Sequence, residues 1–83
     1  MRLRDHDLVL REIDGETVLL DLAGSTYFAV NRTGTFLLEL LRDDQDRESL
    51  VDALARQFEL GDDQAAADTD AFLTALREQD LLV

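Results

Sequence analysis

The sequence has no cysteine, no proline and no lysine, and it has one histidine among its 83 residues. Without cysteine, neither a disulfide framework nor a thiolate metal site is available. His6 lacks a second histidine with which to bind a metal ion or activate a nucleophile, so we assign it no functional role. Without proline, no proline-rich linker marks a second domain.

Long apolar runs are absent as well. The longest extends over a few residues, whereas a membrane-spanning helix needs roughly 20. The N-terminal segment MRLRDHD also lacks the apolar stretch of a secretion signal. The sequence therefore predicts a cytoplasmic protein that does not enter a membrane.

Basic residues are few, since 19 acidic residues outnumber eight arginines and give a net charge of −11 at pH 7. This charge repels phosphate groups, and no helix carries a basic cluster, so nucleic acid is not an expected partner. Apolar residues make up 46% of the chain, enough to form a core. We expect one small domain over residues 1–83, with little room for an enclosed active site.

Two apolar-rich runs, Leu8–Ile13 and Thr17–Leu22, flank the dipeptide Asp14-Gly15. This dipeptide suits the type I′ turn of a two-residue hairpin, which places Val9 opposite Leu20. One face of the hairpin is then apolar, and we predict that it faces the core. The residues on this predicted core face are Val9, Val18, Leu20 and Leu22.

The segment Thr26–Val30 follows a glycine-containing turn and is predicted to be a third strand at an edge of the sheet. Its register has two alternatives. A two-residue loop places Tyr27 and Ala29 on the core face. A three-residue loop with glycine in the left-handed conformation places Phe28 and Val30 there, and we favour this alternative.

The hydrophobic period then changes to three and four residues, which predicts three helices. Asn31 is expected to cap the first and Asp46 the second, which ends at Gly61, and acidic residues favour the start of a third. The core-facing residues of the three helices are predicted to be Phe36, Leu37, Leu40, Leu41, Leu50, Val51, Leu54, Phe58, Ala65, Thr69, Phe72 and Leu76. The predicted fold class is α+β, a three-stranded antiparallel sheet followed by three α-helices.

No segment carries a recognisable catalytic or metal-binding motif. The acidic stretch 44–48 lacks the glycine that lets a calcium loop turn sharply, so helix capping explains its carboxylates better. Ser25 and Ser49 have no base in a recognisable motif, and the glycines form no phosphate-binding pattern. We expect no catalytic residue, no metal ion and no cofactor, and we predict that the chain is not an enzyme.

The run LLDLAGSTYFAVNRTGTFLLELL combines a strand that ends in Asp, a glycine turn, an aromatic pair, an Asn and a glycine-containing start of a Leu-rich helix. The residues that form this pattern are Asp21, Gly24, Tyr27, Phe28, Asn31, Gly34, Leu40 and Leu41. The pattern resembles the PqqD family, named for pyrroloquinoline quinone biosynthesis protein D. The resemblance spans most of the chain, which is most similar to the free-standing B1 proteins of lasso-peptide biosynthesis.

The resemblance implies a winged helix-turn-helix fold that acts as a recognition element for ribosomally made, post-translationally modified peptides. Family members hold the leader segment of a precursor peptide as an added strand against their third strand, beside the third helix. In lasso pathways a separate cysteine peptidase of the transglutaminase-like type then removes the leader, before an ATP-dependent cyclase closes the macrolactam ring. The implied partners are the leader peptide, this peptidase and this cyclase.

The third strand is the expected docking edge, because an edge strand exposes N–H and C=O groups with which an extended peptide can pair. On the third helix we place Leu73 at the rim of the apolar stripe, with Asp70 and Arg77 farther round. The predicted leader-binding residues are Thr26, Tyr27, Phe28, Ala29, Val30, Asp70, Leu73, Leu76 and Arg77. The alternative is a groove on the other flank of this helix, near Asp68, Ala75 and Gln79.

Two other functions compete with this interpretation. A peptide-delivery subunit for another modifying enzyme, such as a radical enzyme of quinone-cofactor biosynthesis, would have the same sequence features, and neighbouring genes would distinguish the two. A winged-helix DNA-binding regulator is the second rival. The absence of a basic cluster argues against it, because DNA affinity comes largely from Lys and Arg side chains on phosphates.

Overall fold

The computed structural model describes residues 1–83, and it contains three strands followed by three helices. The strands are β1 (Leu8–Ile13), β2 (Glu16–Asp21) and β3 (Thr26–Val30). They form one antiparallel sheet in the order β1-β2-β3. The helices are α1 (Arg32–Leu40), α2 (Arg47–Phe58) and α3 (Asp62–Glu78). The predicted α+β fold class is confirmed.

The β1–β2 hairpin turns at Asp14-Gly15, as predicted. Both turn residues have positive φ angles, 54° and 82°, which is the pattern of a type I′ turn. Val9 pairs with Leu20, so the predicted register is confirmed. The second strand begins and ends one residue earlier than expected.

The face of the sheet that packs against the helices is the opposite of the one we predicted. On β2, the residues Thr17, Leu19 and Asp21 are buried, and we name their side of the sheet the inner face. The four residues assigned to the core lie instead on the outer face, with exposed fractions between 36% and 58%: Val9, Val18, Leu20 and Leu22. The predicted core face is therefore wrong.

Polar residues on the inner face explain this error. The hydroxyl groups of Thr17 and Thr35 form a hydrogen bond of 2.8 Å between β2 and α1. The carboxylate of Asp21 accepts a hydrogen bond from the guanidinium of Arg4. Because these buried polar groups have partners, the inner face accommodates them, although hydrophobic alternation indicated the other side.

The strand β3 pairs with β2 so that Phe28 lies opposite Leu19. Phe28 is half-buried and Val30 is buried, which confirms that these two residues face the core. The connection comprises the four residues 22–25, so the three-residue loop that we gave as the reason is wrong. Tyr27 lies opposite Leu20 and therefore shares the outer face with it. Phe28 points inward because the core lies on the inner face.

Side-chain caps begin α1 and α2, as predicted. The Oδ1 atoms of Asn31 and Asp46 each accept a hydrogen bond from the backbone N–H three residues later, at 2.9 and 2.8 Å. The helix α2 stops before Glu59, which adopts the left-handed conformation with φ 53°. Gly61 is the N-cap of α3, so the prediction that it ends the second helix is wrong.

The core lies between the inner face and the three helices. Its fully buried leucines are Leu19, Leu37, Leu38, Leu41, Leu50, Leu54, Leu73 and Leu81. On α3 the buried stripe includes Leu73 in place of the predicted Phe72, which is only half-buried. No helix combines the length and the apolar character that a membrane crossing requires.

Candidate functional site

One edge of β3 has no neighbouring strand. The sheet order β1-β2-β3 leaves β3 paired with β2 alone, so alternate N–H and C=O groups along Thr26–Val30 are available to another chain. The edge is five residues long and carries no charged side chain. It is therefore a suitable template for one short extended peptide.

An apolar groove runs between this edge and α3, and we name it the β3–α3 groove. It has a volume of about 290 Å³, and eight of its ten lining residues are hydrophobic. The lining residues are Leu19, Phe28, Ala29, Val30, Asn31, Phe72, Ala75, Leu76, Gln79 and Leu81. A strand that pairs with β3 would point alternate side chains into this groove.

Gly34 allows α1 to begin close against the groove. A Cβ atom at Gly34 would lie 2.5 Å from Cγ1 of Val30 and 2.9 Å from Cε1 of Phe72, which is closer than side-chain atoms can pack. The missing side chain therefore lets Phe72 lie against the junction of β3 and α1. This position explains why Phe72 lines the groove and is not part of the buried stripe.

Of three apolar residues on α3 whose positions we predicted, one lies where expected and two have exchanged places. Leu76 is 5% exposed and lines the β3–α3 groove, as its prediction requires. Phe72, which we had placed in the core stripe, lines the groove as well. Leu73 is 1% exposed within the core, so its predicted position at the rim is wrong. Adjacent helical residues point about 100° apart, so a rotation of the helix exchanges the buried position and the groove-lining position between Phe72 and Leu73.

Asp70 and Arg77 lie on a different flank of α3. Two hydrogen bonds join the guanidinium of Arg47 on α2 to the carboxylate of Asp70, at 2.7 and 2.9 Å. This contact lowers the pKa of Asp70 and raises the pKa of Arg47. Arg77 approaches the Sδ atom of Met1 at 3.6 Å. The structure therefore brings neither side chain to the groove, and each contacts another part of the chain.

The flank that we gave as the alternative is the one that faces the sheet edge. Ala75 and Gln79 line the β3–α3 groove. Asp68 lines a second depression of about 330 Å³, which shares Asn31 and Phe72 with the groove. The two depressions therefore form one path along α3. The helical pattern did not distinguish the flanks, because the choice depends on where the sheet packs.

Several charged side chains outside the groove take part in caps and ion pairs. His6 is exposed, and its nearest acidic partner is the adjacent Asp5, at 3.5 Å. The chain contains no group of three or more His, Cys, Asp or Glu side chains placed to hold a metal ion. Asp46 caps α2, and the hydrogen bond from the Ser49 N–H lowers its pKa. Its carboxylate is therefore used in the fold.

These features define a class of small α+β domain in which a free sheet edge borders an apolar, helix-lined groove. The chain belongs to the PqqD family. The family model described as "Coenzyme PQQ synthesis protein D (PqqD)" matches residues 16–82, which includes the groove and its free edge. No curated protein matches the chain significantly.

Two solved structures are similar over nearly the whole chain. The first, "TbiB1 in Complex with the TbiA(beta) Leader Peptide", is 33% identical with a TM-score of 0.85, and the match covers 99% of this chain and 94% of that one. The second, "Lasso peptide synthetase B1 complexed with the leader peptide", is 26% identical with a TM-score of 0.79, and the match covers 96% and 93%. Both similar proteins are thus described in complex with a leader peptide.

Proposed function

We propose that this chain recognises the leader peptide of a ribosomally made, post-translationally modified peptide, of the lasso-peptide type. The observation that carries the proposal is the free β3 edge beside the apolar β3–α3 groove. The similarity to two B1 proteins, each described in complex with a leader peptide, supports it. Residues 1–83 would act as a single recognition domain in the cytoplasm, where ribosomes make the precursor.

The proposed binding mode is strand addition to β3. The leader backbone pairs with the free edge of Thr26–Val30, and this pairing supplies affinity that depends little on sequence. Apolar leader side chains on one face of the added strand enter the groove and supply specificity. The groove residues that we assign to this role on α3 are Phe72, Ala75, Leu76 and Gln79.

We further propose that the chain does not catalyse a reaction. The groove is lined mainly by hydrophobic side chains, and the carboxylates of Asp46 and Asp70 are used in a helix cap and an ion pair. A transglutaminase-like cysteine peptidase would cleave the leader in trans, and an ATP-dependent cyclase would close the ring afterwards. In this division of labour the chain holds the substrate and the peptidase cuts it.

Delivery of a peptide to a radical enzyme of quinone-cofactor biosynthesis is the second candidate. The description of the family as coenzyme PQQ synthesis protein D favours it. Neighbouring genes distinguish the two functions, because a lasso cluster encodes a peptidase and a cyclase whereas a quinone-cofactor cluster encodes a radical enzyme. We rank the lasso function first because the two similar solved structures, which match nearly the whole chain, are both B1 proteins described with a leader peptide.

The direct test is leader binding by a variant with a charge in the groove. Ala75→Glu places a carboxylate at the groove. It should weaken leader binding by roughly thirty-fold, because a central interface residue contributes about 2 kcal/mol. Binding is measured by fluorescence polarisation with a labelled synthetic leader of the precursor encoded beside this chain.

Ala67→Glu is the matched control for this test. Ala67 is also exposed on α3, but it lines neither the groove nor the second depression. The control variant should bind the leader like the wild type. Equal affinity of the Ala75→Glu variant and the wild type would contradict the proposed groove, and no binding by the wild type would contradict the proposed function.

A further inference from the structure

The outer face of the sheet is apolar although no part of the chain covers it. Six of the seven large hydrophobic side chains that are exposed lie on this face or directly beside it: Val9, Ile13, Val18, Leu20, Leu22 and Tyr27. Val9, Leu20 and Tyr27 are consecutive cross-strand neighbours, so they form a continuous row across the sheet. A contiguous exposed apolar patch of this kind is typical of a protein interaction site.

The outer face meets the β3–α3 groove along β3. A depression of about 450 Å³ on the outer side is lined by Ile13 and Val18, and it shares Ala29, Val30 and Asn31 with the groove. A peptide strand added to β3 would extend the same sheet, and its outward side chains would continue the apolar rows. A protein on the outer face would therefore contact this chain and its bound peptide together.

The charges on and around this face disfavour a second copy of the chain as the occupant. Each copy carries a net charge of −11, so two copies in contact repel each other. Arg11 lies on the outer face opposite Val18, and it takes part in none of the ion pairs of the chain. The acidic Asp14 and Glu16 lie at the hairpin end of the face. The guanidinium of Arg32 lies beside Gly15 at this end, so the hairpin end carries both signs of charge. The complementary surface is therefore an apolar patch with a carboxylate for Arg11.

From these features we infer that the outer face of the sheet docks the enzyme that acts on the peptide bound at β3. The inference rests on the proposed function, because it requires that a leader strand occupies the free edge. The enzyme contributes the apolar patch and the carboxylate opposite Arg11. The enzyme contacts the bound leader at the same time, which explains how leader recognition by this chain directs cleavage by another protein.

The test uses two variants of the outer face and one matched control. Leu20→Glu introduces a charge into the apolar row, and Arg11→Glu reverses the charge of the arginine on the β1 side of the face without removing a residue of that row. Val83→Glu is the control, because Val83 is the one exposed large hydrophobic residue away from this face. For each variant we measure binding of the labelled leader, and we measure cleavage of the precursor by the peptidase encoded beside this chain.

The expected result is a separation of the two measurements. All three variants should bind the leader within about twofold of the wild type, whereas Leu20→Glu and Arg11→Glu should reduce the stimulation of cleavage roughly tenfold or more. Val83→Glu should stimulate cleavage like the wild type. The Arg11 variant keeps the test valid if Leu20→Glu unfolds, because Arg11 is exposed and unpaired.

Three results would overturn the inference. Normal stimulation by both outer-face variants, with leader binding intact, would show that the enzyme docks elsewhere. A dimer in sedimentation experiments that Leu20→Glu dissociates without loss of stimulation would assign the face to a second copy. Failure of the wild type to bind the leader would overturn the proposed function itself, and leader binding distinguishes this case from the other two.

Discussion

At the scale of single residues, Asp21 holds the turn that leads into the proposed binding strand. Its carboxylate accepts hydrogen bonds from Arg4 and from the backbone N–H groups of Ala23 and Gly24, the latter two at 3.1 and 3.3 Å. The hydrogen bond from Arg4 is the main reason why the pKa of Asp21 lies below its ordinary value, although burial opposes it. The charged form is therefore the one that the fold stabilises.

Asp21→Asn is expected to lower stability at pH 7 and to lower it less in acid. The folded pKa of Asp21 is lower than the unfolded value of about 3.9, so its contribution is fully present above that value. The contribution is lost as the pH falls through the folded pKa. The difference in Tm between wild type and variant should therefore be largest near pH 7 and shrink below about pH 4, as measured by circular dichroism.

Asp52→Asn is the control for this pH dependence, because Asp52 is exposed on α2 and belongs to none of the ion pairs. It should keep a Tm close to that of the wild type at every pH. Other carboxylates with lowered pKa, such as Asp46 and Asp70, make the wild type and the Asp21→Asn variant less stable in acid. Only the difference in Tm between these two proteins is therefore informative. A difference that does not change with pH would rule out the charged form of Asp21 as the cause.

At the scale of secondary structure elements, β3 has two edges with different tasks. One edge pairs with β2, and the other is free for the proposed leader. Successive residues of an antiparallel strand direct their backbone groups to alternate edges. The backbone groups of each residue of Thr26–Val30 therefore serve either the fold or the peptide, but not both.

Proline substitution at each position of Thr26–Val30 should separate these two tasks. Proline removes one N–H donor, so at positions that face β2 it should destabilise the sheet. At positions that face the free edge, with Ala29→Pro as the first to test, the variant should fold but bind the leader about fivefold more weakly, which corresponds to a hydrogen bond of about 1 kcal/mol. Circular dichroism and fluorescence polarisation measure the two effects, and equal binding by all folded variants would argue against strand addition.

The sequence predicts those elements whose signals are local. The turn at Asp14-Gly15 and the caps Asn31 and Asp46 need only their neighbours in the chain, and the structure confirms all three. The core face of the sheet and the groove flank of α3 depend on how distant elements pack. The inner face carries the polar Thr17 and Asp21 among its apolar residues, so hydrophobic alternation favours the outer face as the core side. Phe72 and Leu73 are both large and apolar, so the pattern alone does not decide which of them is buried.

At the scale of the whole molecule, the two ends of the chain join each other and close the core. The backbone groups of Arg2 and Val83 form two hydrogen bonds with each other, at 2.9 and 2.8 Å, and the N–H of Arg4 donates to the carbonyl of Leu81 at 2.8 Å. Leu3 is 6% exposed and belongs to the same core cluster as Leu81, which also lines the β3–α3 groove. The N-terminal segment therefore supports the core and the floor of the groove together.

Leu3→Ala is expected to destabilise the whole fold, because it leaves a cavity beside Leu81 that the surrounding backbone contacts prevent from closing. The cost should be about 2–4 kcal/mol, which lowers the Tm of a domain of this size by at least roughly 8 °C. Val83→Ala is the control, since Val83 belongs to the same joined ends but its side chain is 60% exposed, and its Tm should change little. Thermal and urea unfolding measure both variants, and a Leu3→Ala Tm equal to that of the control would show that the N-terminal segment is not part of the cooperative core.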